Sequence, residues 1–180
     1  MICLPLTPNI LHYAPFHYEE LISSPRRLWI SSRNPLAEQD EVSIHDLAGE
    51  DYILLTMDEH EAAMSKLWQQ HNFTPKIMFK SHTMEALRSM IANDMGAAIL
   101  SDMVCRSWSL EGRPIVKKDL IENISSMNTG MTWPWGRKLS EAALTFIAFL
   151  RTEIVTGSEW CAWIIHKIKC LISASDDALF

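Results

Sequence analysis

The chain has 180 residues, of which 48% are hydrophobic and 21% charged, enough for one sizeable core or two small lobes. A net charge of −6 argues against nucleic-acid binding, which normally needs a basic face. The four cysteines, Cys3, Cys105, Cys161 and Cys170, lack CxxC spacing and fit reduced thiols in a cytoplasmic protein.

His60, His71 and His82 match no metal-ligand motif, so neither a metal nor a cofactor is expected. No segment approaches the roughly 20 apolar residues of a membrane span. The start of the chain has no basic region, and Pro5 and Pro8 interrupt its short apolar run, so no secretion signal is expected.

Residues 2–6, ICLPL, read as the end of a buried strand with nothing before it, which suggests a fragment or a truncated start. Residues 12–24 are polar and aromatic and are expected to loop over the surface. Residues 27–31 have strand character, with Trp29 on the face opposite Leu28 and Ile30. Asn34 followed by Pro35 breaks that run. Residues 43–49 read as one helical turn, with Ser43 as N-cap, Asp46 as the acid of a capping box and Gly49 closing it. Residues 52–55 are a buried-strand candidate leading into Thr56, Met57 and Asp58. A helix is predicted from about residue 59 to residue 71, with Ala63, Leu67 and Trp68 on one side. Residues 76–79 form another strand.

The stretch 80–102 is the most explicit. Ser81, His82 and Thr83 precede a helix, and the Thr83 hydroxyl is placed to cap it. Glu85 follows in the first turn, where negative charge suits the helix dipole. Met84, Leu87 and Ile91 repeat at helical spacing, with Arg88 and Asn93 off that face. Gly96 is the expected positive-φ residue after the helix. Residues 97–100 read as a strand buried on both sides.

Residues 103–113 form a long loop, and the cations from Arg113 to Lys118 read as a solvated loop. Residues 115–116 and 131–133 are strand candidates. Ser140 caps an amphipathic helix over residues 141–151, with Ala143, Phe146, Ile147 and Leu150 on its apolar stripe. Strands alternating with helices predict an α/β protein with largely parallel sheets.

In order and spacing, RLWISSRNPLA (27–37), SIHDLAGEDYILL (43–55), FTPKIMFKSHTMEALRSMIANDMGAAILSDMV (73–104), SWSLEGRPIVKKDL (107–120) and GRKLSEAALTFIAFLR (136–151) resemble the effector-binding domain of LysR-type transcriptional regulators. The resemblance covers roughly residues 4–151. It implies a two-lobed, periplasmic-binding-protein-like (type 2) α/β fold with a small molecule in the cleft. Lobe I would comprise residues 1–33 plus about 122–153 and would be incomplete; lobe II would comprise residues 34–121. The family's winged helix-turn-helix and linker helix have no counterpart in the chain. DNA binding by this chain alone is therefore not expected, and a homodimer, or pairing with an intact regulator, remains open. The tail from residue 152 resembles nothing in the family. It reads as an amphipathic helix, an extra core element or an extension without a selected role.

For Ser81, His82 and Thr83, the resemblance implies effector contact, with hydroxyls and first-turn amides holding an anionic group. Simple helix capping stands beside that reading. His82 would add a group that titrates near neutral pH. Thr56 ends a strand whose carboxyl end faces a ligand crevice in open α/β sheets, and Ser101 and Asp102 end the next one. Asp58 is better read as a cap of the following helix, and Trp108 as a packed loop aromatic or a cleft cover. No GxSxG, P-loop or HExxH is present, and the consecutive groups of Asp58, Glu59, His60 and Glu61 would diverge on a helix, so no enzyme is expected. The alternatives are a transport solute-binding protein of the same fold, or a truncated, non-sensing subunit that pairs with intact regulators.

Overall fold

The computed structural model describes residues 2–5, 16–57, 60–136 and 138–156. Asp58 and the tail after Thr156 lie outside the described residues. In chain order the elements are β1 (Ile2–Pro5), β2 (Phe16–Ser24), β3 (Arg26–Ser31), β4 (Asp51–Leu55), α1 (His60–Gln70), β5 (Lys76–Ser81), α2 (Met84–Ala92), β6 (Ala98–Ser101), β7 (Ile115–Lys118), β8 (Met127–Pro134) and α3 (Glu141–Thr156). Short 3₁₀ helices at Pro35–Glu38, Ile44–Gly49 and Asp102–Val104 complete them.

By its contacts the chain divides into two units, one over residues 25–126 and one that takes the chain up to Ser24 and from Met127 onward. The expected lobe II, residues 34–121, lies within the larger unit, which also holds β3, paired with β6 on one edge and β7 on the other. Glu122 belongs there too, accepting from the Ser43 hydroxyl and the Ile44 amide.

In the larger unit, β4 and β5 are parallel, and a parallel bridge from Tyr52 to Ala97 carries β4 toward β6. The helices α1 and α2 supply the crossovers that parallel neighbours require. The strand β3 lies outside these β–α–β steps and pairs antiparallel with both β6 and β7. Both pairings of β8, with β1 and with β2, are also antiparallel. The expectation of largely parallel sheets is therefore corrected: among the named strands described, only β4 and β5 run parallel.

Strands buried on both faces explain the continuous apolar runs of the sequence. Leu28, Ile30, Tyr52, Leu54 and Ile99 join α1 residues Met64, Leu67 and Trp68 in one cluster. Trp29, Ile53, Leu55, Ala98 and Leu100 join α2 residues Leu87 and Ile91 in another. Trp29 thus lies opposite Leu28 and Ile30, as the alternation predicted. The capping box at Ser43 is present in full, with Asp46 accepting from the Ser43 amide at 2.8 Å.

Three local expectations change. Residues 16–24 form a nine-residue strand, not a surface loop, paired with β8 around a bulge between Glu20 and Ile22. The backbone supplies that pairing, so polar side chains hide it. Lys117 and Lys118 lie on β7 rather than in a loop. Arg88 is buried, not turned away from the packed face, and its guanidinium bonds Glu85 and the Val104 carbonyl. After α2, Gly96 takes the expected positive φ (147) and is also needed for close approach, and Asp94 (φ 64) is left-handed as well. A Cβ at Gly96 would meet the Asp51 carbonyl oxygen at 2.5 Å.

In the smaller unit, α3 packs Ile147 and Leu150 against Met131 of β8. Ser140 accepts from the Ala143 amide at 3.3 Å, the expected cap. Arg151 on α3 holds Glu19 on β2 through both carboxylate oxygens, at 2.7 and 2.6 Å. Among the described residues, no helix is long and apolar enough to cross a membrane.

Candidate functional site

The parallel strands β4 and β5 end side by side, with Leu55 paired to Ser81. That register brings the next residues, Thr56 and His82, together at the start of α2. The Thr56 amide donates to the Ser81 carbonyl at 2.8 Å. Thr56 Oγ1 lies 3.2 Å from the same carbonyl and 2.7 Å from His82 Nδ1. A hydroxyl has one proton to give. If the carbonyl takes it, the oxygen accepts from Nδ1–H, and His82 keeps Nε2 as an acceptor when neutral and a donor when charged.

Ser81 is buried and Thr83 exposed. Ser81 Oγ donates to the Thr83 carbonyl at 2.9 Å and accepts from the Thr83 amide at 3.0 Å. Thr83 is the N-cap residue of α2, but its side chain makes no cap hydrogen bond. The expected division of labour is thus reversed. Ser81 fixes the turn, and the Thr83 hydroxyl is not committed to the helix.

The local charge is balanced. The N-terminal end of a helix is electropositive, and Glu85 sits in the first turn of α2. Its carboxylate is met by Arg88 and, at 3.8 Å, by Arg106. Sequence periodicity missed Arg88 because a buried arginine looks like a surface one in a pattern of apolar residues. Arg106, well along the chain in an irregular loop, gave no local signal.

Thr56, Ser81, His82 and Thr83 are therefore one cluster. Ser101 and Asp102 are engaged elsewhere. Ser101 Oγ accepts from the Met103 amide at 3.3 Å and so caps a 3₁₀ turn. Asp102 forms ion pairs with Arg27 at 3.2 Å and Lys117 at 3.4 Å. Trp108 is exposed on its loop, not packed. Among the described residues, no group of three or more His, Cys, Asp or Glu side chains is placed to hold a metal ion.

Near this cluster in sequence, His60 opens α1. Burial first, and the Arg26 charge second, push its imidazole down to about 4. Its Nε2 is buried without a hydrogen-bond partner among the described residues. His60 is a half-buried group whose imidazole the surroundings hold toward the neutral form.

Parallel strands joined by helices, in a two-unit α/β chain, are those of the periplasmic-binding-protein-like type 2 fold. The LysR substrate binding domain matches residues 6–154, and the chain belongs to that family. It is 26% identical over 144 residues to the uncharacterized HTH-type transcriptional regulator YybE of Bacillus subtilis (strain 168), covering 79% of this chain and 48% of that protein. In structure it is similar to HinK, a LysR family transcriptional regulator from Pseudomonas aeruginosa (TM-score 0.75, 23% identity, 84% of this chain and 52% of the other). It is also similar to the Synechocystis PCC6803 CcmR regulatory domain in complex with 2-PG (TM-score 0.73, 19% identity, 86% of this chain and 73% of the other). The chain spans about half the length of the curated relatives it matches.

Proposed function

We propose that the chain is the effector-sensing part of a LysR-type transcriptional regulator and takes a small anionic metabolite at the start of α2. The observation that carries this reading is the Thr83 hydroxyl, held at the N-cap without a cap bond beside His82 and Thr56. A carboxylate or similar group would accept from the Thr83 hydroxyl and the first-turn amides, and His82 would orient a second polar group of the ligand. Arg88 and Arg106 offset the Glu85 charge that would otherwise oppose an anion. Ser101 and Asp102, tied into a turn and into ion pairs, serve as framework. The CcmR regulatory domain, a relative in fold with 2-PG bound, supports the small-molecule class.

The protein is proposed to act in the cytoplasm, as a homodimer or paired with an intact regulator, and a net charge of −6 supports no DNA binding of its own. Effector binding would alter promoter contacts through differential affinity for two arrangements of the assembly.

The test is calorimetric titration of the full chain with a panel of small carboxylates and phosphate esters, each beside its neutral amide or alcohol analogue. Binding of one anion, lost with the neutral analogue and weakened about tenfold in Thr83→Ala, is expected for one lost hydrogen bond to a charged group. Equal binding by wild type and Thr83→Ala would move the site away from α2. A gel shift with promoter DNA should show no sequence-specific complex with this chain alone.

A further inference from the structure

The loop that follows β6 lies along α2 and is attached to it at regular intervals. Arg106 meets Glu85 at 3.8 Å. Ser89 Oγ donates to Glu111 at 3.0 Å, and the Arg113 guanidinium donates to Asn93 Oδ1. Residues 85, 89 and 93 recur every four positions and so share one face of the helix.

The loop also carries its own hydrogen bonds. Ser109 donates to the Arg113 carbonyl at 2.9 Å, Gly112 to the Ser109 carbonyl at 3.1 Å, and Ile115 to the Ser107 carbonyl at 2.9 Å. Trp108 and Pro114 form a bridge, and Gly112 takes φ 75 at the turn. The loop thus has a hairpin's hydrogen bonds of its own, besides its contacts to α2.

Its attachments are polar, and those at Ser89 and Asn93 are exposed, as contacts screened by salt and individually weak tend to be. The two large apolar residues that could anchor it, Trp108 and Leu110, are 59% and 73% exposed instead. The ends of the segment are firmer. Val104 is held by Arg88 on one side, and Ile115 is buried in β7 on the other.

We propose that residues 106–114 form a strap that detaches from α2 as a unit, with Glu85, Ser89 and Asn93 as its latch. Detachment opens none of the three apolar clusters, because residues 106–114 belong to none of them among the described residues. When it leaves, Arg106 parts from Glu85 in the first turn of α2, and Trp108 and Leu110 travel with it. The proposal stands whatever α2 binds.

The experiment is limited trypsin digestion of the full chain at low and high salt, following cleavage after Arg106 by mass spectrometry. Rates are normalised to a synthetic peptide of residues 103–117, which corrects for the effect of salt on the protease. Cleavage after Arg27, in the central strand β3, reports global unfolding. Cleavage after Arg106 is expected to rise about tenfold at high salt, and by a similar factor at low salt in Ser89→Ala/Asn93→Ala, which keeps the Arg106–Glu85 pair and so a smaller response to salt. Cleavage after Arg27 should stay slow throughout. An Arg106 rate insensitive to salt and to the latch substitutions would overturn the strap. So would an Arg106 rate that rises only in step with cleavage after Arg27. Should the double variant fold poorly, the salt series on the wild-type chain decides between the same two outcomes.

Discussion

Thr83 occupies the N-cap of α2 while Ser81 makes the hydrogen bonds that hold the turn. Removing an N-cap hydroxyl usually costs about 1 kcal/mol. At Thr83 the cost of substitution by Ala should fall below about 0.5 kcal/mol, because no cap bond is lost. Ser81→Ala should cost about 1 to 2 kcal/mol, since it leaves the buried turn without its hydroxyl. Urea unfolding of the two variants checks the order, and a larger loss at Thr83 would contradict the assignment.

His60 sets a pH dependence at the same scale. Its folded value near 4 lies below the ordinary 6.5. Between those values the unfolded chain binds a proton that the folded chain refuses. The His60 contribution is therefore fully present above pH 6.5 and is lost as pH falls toward 4, by an amount on the order of 3 kcal/mol. Unfolding midpoints measured from pH 7 down to pH 4 should drop less in His60→Gln than in wild type. Parallel curves would show that His60 is not the group responsible. Arg151 holds the Glu19 carboxyl below its usual range, so that pair contributes at neutral pH and its contribution is lost only as pH falls below the ordinary carboxylate range.

At the scale of elements, two glycines separate space from conformation. Gly96 takes a φ of 147 and leaves no room for a Cβ beside the Asp51 carbonyl. Gly96→Ala should cost about 2 kcal/mol or more, from backbone strain and the displaced strand β4. Gly49 ends its 3₁₀ helix with nothing within 4 Å of a Cβ and no positive φ. Gly49→Ala should leave stability unchanged or raise it by up to about 1 kcal/mol. Thermal melts of the pair give the contrast directly. The same scale shows which elements could be read from the chain. The strands β3, β4 and β6 are buried on both faces, so their apolar runs announced them. The strand β2 alternates polar groups that do not reach a core, and only its pairing with β8 makes it a strand.

On the scale of the whole molecule, residues 25–126 carry two large apolar clusters, whereas the described part of the smaller unit centres on Met131, Ile147 and Leu150. The larger unit is also continuous in sequence. A fragment of residues 25–126 should therefore fold alone, unfold cooperatively and show near-ultraviolet circular dichroism from Trp29 and Trp68. A fragment that binds hydrophobic dye and melts without a transition would show that its core needs the rest of the chain.

The sequence by itself determined the α/β class, the two-sided strands, the capped turn at Ser43 and the candidate residues at the start of α2. These follow from local pattern: apolar runs, helical spacing and capping residues act over a few neighbours. Tertiary structure alone decided the antiparallel run of β3, the burial of Arg88, the Thr56–His82 contact and the placing of the 106–114 loop along α2. Each depends on residues far apart in the chain meeting in a particular register, and a register is set by the assembled sheet rather than by any one segment.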